Sequence, residues 1–156
     1  MEILQLFLVI GASAATLSAA QPSLPPPRDL SAMAAKARLD GTVASWCRGQ
    51  FRAGRASAYA AAVTSPTGGG RYLVLDGDAA VVELATFRSA PDLACYTPAE
   101  ARRLSEAIQT TETVSGRVVP RFATTVVCAF IEETHAVCWQ YSPAARAFIK
   151  VGEWLT

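Results

Sequence analysis

The chain has one histidine, His135, and no Cys-x-x-Cys pair. A tetrahedral zinc site draws on thiolates and imidazoles at short spacings, so no zinc pattern is present. There is no Gly-x-Ser-x-Gly elbow to present a nucleophilic serine. The run Thr67-Gly68-Gly69-Gly70 lacks the lysine of a phosphate-binding loop and opens no helical pattern. The formal net charge is only +1, which gives no bulk attraction for nucleic acid. After residue 20 no long apolar run follows, so no stable membrane insertion is expected of the remainder. No cofactor, metal or nucleic-acid partner is expected, which leaves a protein or a cell-envelope component as the partner.

The first apolar run is informative. Residues 3–20 carry no charge: Leu6-Phe7-Leu8-Val9-Ile10 is followed by small residues up to Ser18-Ala19-Ala20. An apolar centre before an Ala-x-Ala-like site reads as a secretory signal peptide over residues 1–20. The positive charge expected before the apolar centre is missing, since only Glu2 stands there. An uncleaved anchor is the alternative, because the run approaches the roughly 18 residues needed to span a bilayer. The small residues of its second half favour cleavage and a periplasmic or secreted product. Residues 21–28, with Pro22, Pro25, Pro26 and Pro27, read as an extended, poorly ordered arm. Residues 29–156 are then long enough for one domain with a real core.

All four cysteines, Cys47, Cys95, Cys128 and Cys138, follow the signal segment. An even count in an exported chain points to disulfides. Of three possible pairings, Cys47–Cys95 with Cys128–Cys138 is preferred. The longer loop restricts the unfolded chain more, by roughly 4 kcal/mol in the chain-entropy model.

The second pair lies in a hairpin from Ala123 to Ser142, with strand formers on either side of Glu132-Glu133-Thr134-His135. A three-residue loop, Glu132 to Thr134, sets Cys128 opposite Cys138. A two-residue loop, Glu133-Thr134, sets Cys128 opposite Trp139 and parts the cysteines. A one-residue slip moves every side chain to the other face, so the two registers are exclusive. The three-residue loop is preferred because it permits the short bridge.

Other elements follow from caps and turns. A helix is expected over residues 29–39, capped by Asp29 and ended by Asp40-Gly41. Strands are expected over 42–51, 58–64, 71–75 and 79–87, with Asp76-Gly77 as a type I′ turn before the last. Thr97, Pro98 and Glu100 form a capping box for a second helix over residues 97–109. A short strand at Val118-Val119 and a last strand over residues 145–154 complete the pattern. Tight turns join neighbouring strands, so the sheet should be antiparallel. The expected class is α+β, a mostly antiparallel curved sheet or small incomplete barrel with two helices, disulfide-stapled.

Two constellations could carry chemistry. His135 beside Glu132 and Glu133, or the pair Asp76 and Asp78, could serve a small periplasmic hydrolase. Neither sits beside a nucleophile motif, and turn residues are usually solvated. Arg48, Arg52 and Arg55, with Arg71 nearby, form a basic cluster able to hold an anion. The expected function is a non-enzymatic exported binding or inhibitor-like module; the hydrolase is the alternative.

Overall fold

The structure, a computed structural model, describes residues 25–77, 80–89, 92–111, 122–132 and 135–155. The expected signal peptide, the first half of the proline-rich arm, Val118-Val119 and Asp78 lie outside those residues.

The described chain runs α1 (Arg28–Lys36), β1 (Thr42–Gly49), β2 (Ala58–Thr64), β3 (Gly70–Asp76), β4 (Ala80–Phe87), β5 (Leu93–Tyr96), α2 (Pro98–Thr111), β6 (Val126–Glu132), β7 (His135–Ser142) and β8 (Ala147–Leu155). The strands form two antiparallel sheets, ordered β1-β2-β3-β4 and β5-β6-β7-β8. Among the described residues the α+β class with two helices and two disulfides is therefore observed, and no barrel closes.

Strand alternation explains the layering. Ala58, Ala60 and Ala62 of β2, with Tyr72 and Val74 of β3, face Leu93, Val127, Ala129, Val137 and Trp139 of the second sheet. Tyr59, Ala61, Val63, Leu73 and Leu75 point the other way and are covered by Leu30 and Met33 of α1. On the outer face of the second sheet, Val126, Cys128, Ala136 and Cys138 lie under Ala101 and Leu104 of α2. The order of layers is thus helix, sheet, sheet, helix. Strand β2 is buried on both faces, which is why it reads as a continuous apolar run.

The hairpin combines features of both expected registers. Glu132 pairs with His135, so only Glu133 and Thr134 connect the strands, and both lie outside the described residues. A register shift between Phe130 and Glu132 then brings Cys128 opposite Cys138. One extra residue in a strand, a β-bulge, does what a longer loop was expected to do. Trp139 packs between the sheets, while the Cys128–Cys138 bond lies on the opposite face beneath α2.

Other expectations need correction. Asp29 does not cap α1: Pro27 holds that position without a side-chain bond, and Asp29 sits inside the first turn. The left-handed residue after α1 is Arg38, at φ 51°, rather than a glycine immediately after the helix. Asp76 pairs with Ala80, so three residues connect β3 to β4, and Asp76 and Gly77 form no two-residue type I′ turn. Strand β5 had no sequence signal of its own. The capping box of α2 is present: Glu100 N–H donates to Thr97 Oγ1 at 3.3 Å, and Thr97 N–H and Oγ1 both donate to Glu100 Oε2 at 2.8 Å.

Candidate functional site

Edge strands β1 and β5 lie beside each other in different sheets, and the Cys47–Cys95 bond joins them, with Cα atoms 5.6 Å apart. One residue past β1, Gln50 continues the link. Its N–H donates to Thr125 Oγ1 and its carbonyl accepts from Thr125 N–H, both at 3.0 Å. Gly49 makes this approach possible. A Cβ there would stand 2.4 Å from Thr125 Cγ2. The segment before β6 is fixed from beneath by the buried Gln140. With its amide oxygen assigned toward the segment, Gln140 accepts from Ala123 N–H at 2.8 Å and Thr124 N–H at 3.3 Å.

These links frame a cleft of about 300 Å³ with Arg48, Gln50, Cys95, Thr97 and Thr124 among its walls. Among the described residues its charged one is Arg48, on the exposed end of β1. The guanidinium lies over the Tyr59 ring, 5.8 Å from its centroid, within cation–π range. Tyr59 also packs edge-on against Trp46 and donates its hydroxyl to Asp29 Oδ2 at 2.5 Å. That bond, together with the nearby Arg48 charge, holds the Asp29 carboxyl below its ordinary value. The bond and burial push the Tyr59 phenol up. Thr124 is buried, and its Oγ1 has no hydrogen-bond partner among the described residues.

The expected basic cluster is divided. Arg52 forms an ion pair with Asp76, N to O 3.5 Å, and its guanidinium lies 4.6 Å from the Tyr141 ring centroid. It therefore links β3 of one sheet to β7 of the other. Arg55 is exposed on the β1–β2 connection, where its carbonyl accepts from Gln50 Nε2 at 3.1 Å. Arg71 stands opposite Val63 on β2, whereas Arg48 stands opposite Tyr59, toward the other end of the sheet. Arg71 pairs instead with Glu83 at 3.6 Å.

His135 is the first residue of β7 rather than a turn residue. Its Nε2 lies 2.7 Å from Glu153 Oε1, and Lys150 Nζ donates to the other oxygen of the same carboxylate. Lys150, first, and His135 hold the Glu153 carboxyl below its ordinary value. Register puts Lys150 beside Trp139 and Glu153 beside Val137, so both belong to the face that looks toward the first sheet. The three polar groups rim that face at the β8 edge, where inward charges discourage pairing with another chain. Asp76 is engaged by Arg52, and Asp78 lies outside the described residues.

Sequence reasoning missed Gln50, Thr97, Thr124 and Thr125 as neighbours. They come from three separate segments, and no local pattern announces their meeting. Comparison with protein families, with curated proteins and with solved structures finds no match to this chain.

Proposed function

We propose that the chain is an exported, non-enzymatic binding module whose cleft beside Arg48 receives an anionic group of its partner, a protein or a cell-envelope component. The observation that carries this reading is the cleft itself. Its walls come from both sheets and are tied by one disulfide and the two Gln50–Thr125 hydrogen bonds. A site that is rigid before binding loses little freedom on binding. Arg48 supplies a planar fork of donors, suited to a carboxylate or phosphate. The Tyr59 ring gives the guanidinium a resting place at this end of β1. Two disulfide bonds are compatible with an oxidising, extracellular compartment.

Among the described residues, His135, Asp76 and the cysteines are taken up by other contacts, which favours the binding reading. His135 is engaged in the Glu153–Lys150 rim, Asp76 is held by Arg52, and all four cysteines are bonded.

The reading is tested with the mature protein, expected to begin at Gln21 by N-terminal sequencing of an extracellular or periplasmic fraction. Immobilised protein should retain an envelope component that the Arg48→Glu variant fails to retain and the Arg71→Glu variant still holds. Equal retention by all three would overturn the assignment of the cleft.

A further inference from the structure

The two disulfides differ in accessibility. Cys128 and Cys138 are 1% and 0% exposed, closed between β6, β7 and α2. Cys47 and Cys95 are only partly buried, and Cys95 forms part of the wall of the open cleft. Thiol–disulfide exchange requires a thiolate to reach a sulfur, so access separates a labile bond from an inert one.

We propose that Cys47–Cys95 is a thiol-exchange site, open in the folded protein to a dithiol reductant that approaches through the cleft. In the first step a thiolate of the reductant attacks Cys95 Sγ. A mixed disulfide forms, the Cys47–Cys95 bond breaks, and Cys47 leaves as a thiolate. The second thiolate of the reductant then attacks its own mixed-disulfide sulfur, releases Cys95 as a thiolate and closes the reductant into a disulfide. Two electrons pass from the dithiol to the protein pair, and the released thiolates take up protons from solvent.

The consequence follows from position. Cys47–Cys95 joins an edge strand of one sheet to an edge strand of the other. Cys128–Cys138 joins neighbouring strands that are already hydrogen-bonded. Reduction of the first therefore releases the link between sheets and leaves the hairpin closed. The Gln50–Thr125 bonds and the apolar layer between the sheets remain. The reduced protein is thus still folded, with a looser cleft. This inference is independent of the anion-binding reading, since it concerns only which sulfur a reductant can reach.

The test exposes purified, fully oxidised protein to dithiothreitol without denaturant. Samples are alkylated at intervals and mapped by peptide mass spectrometry, while tryptophan fluorescence follows the fold. Cys47 and Cys95 should become alkylated at least about tenfold faster than Cys128 and Cys138, before native fluorescence is lost. Equal rates, or faster labelling of Cys128 and Cys138, would overturn the proposal. So would labelling of Cys47 and Cys95 only at the rate of global unfolding, measured in parallel at increasing denaturant.

Discussion

Gly49 and Thr125 meet so closely that a Cβ on the glycine would lie 2.4 Å from Thr125 Cγ2 and 2.9 Å from its Cβ. The threonine cannot simply turn away. It is buried, and its Oγ1 accepts from Gln50 N–H. The contact joins β1 of one sheet to the segment entering β6 of the other, and so sets the width of the cleft.

Gly49→Ala should therefore destabilise the protein by about 1–3 kcal/mol, the usual cost of overpacking. Thr125→Ser removes Cγ2 and keeps the hydroxyl. Combined with Gly49→Ala it should recover part of that loss. Denaturant unfolding of the two single variants and the double variant measures the coupling. Additive effects would show that the two side chains do not compete for this space.

The two disulfides should contribute unequally. Cys47 and Cys95 are 48 residues apart in sequence, and Cys128 and Cys138 are 10 apart. In the chain-entropy model the longer loop restricts the unfolded chain by about 1 kcal/mol more. Replacing Cys47 and Cys95 together by Ala should accordingly lower stability more than replacing Cys128 and Cys138 together. Alanine is the proper replacement, because serine would bury two hydroxyls beneath α2. A larger loss for the hairpin pair would indicate that packing outweighs loop length there.

The hairpin shows both the reach and the limit of sequence reasoning. Residue type located its strands, and cysteine parity suggested its bond. The length of its loop was not legible, because a bulge near Ile131 leaves no residue signature and shifts the register in the same way as a longer loop. Caps were read unevenly for a similar reason. Thr97 and Glu100 satisfy each other within one turn, so their spacing alone reveals them. Asp29 instead bonds to Tyr59, which lies 30 residues away, and its cap-like position next to a helix is coincidental. The cleft was least legible. Arg48 stood out by charge, but its neighbours arrive through the packing of one sheet on the other.

Tyr72 sits between the sheets with its hydroxyl unpartnered among the described residues, its ring 4.7 Å from Phe87 and 6.1 Å from Trp139 by centroid. Burial, and then the charge of Asp92, push its phenol far above the ordinary tyrosine value. An unsatisfied buried hydroxyl costs about 1–3 kcal/mol. Tyr72→Phe keeps the ring and removes that cost, so it should leave stability unchanged or raise it by about 1 kcal/mol. A clear loss in thermal or denaturant unfolding would mean that the hydroxyl is satisfied in solution.

The attachment of α1 should depend on pH at both extremes. The Asp29 carboxyl is depressed in the folded state, first by the Tyr59 hydroxyl. Its contribution is present above the unfolded value and is lost as pH falls through the depressed one. The Tyr59 phenol is raised, first by Asp29. Its contribution is full below the ordinary value of about 10 and is lost as pH rises through the raised one. NMR titration of the α1 amides should show two transitions, one in acid and one in strong base. Tyr59→Phe should abolish the alkaline transition and move the acid one toward an ordinary carboxylate. Unchanged transitions in that variant would dissociate the pair from the helix.

The binding reading is tested most directly by titrating the isotopically labelled protein with a short acidic peptide and with inorganic phosphate while following its backbone amides. The amides of Gly49, Gln50, Thr97 and Thr125 should shift together and saturate. Those shifts should vanish in Arg48→Glu and persist in Arg71→Glu. An unmoved cleft, or equal loss of the shifts in both variants, would contradict the claim that Arg48 and its cleft form the recognition site.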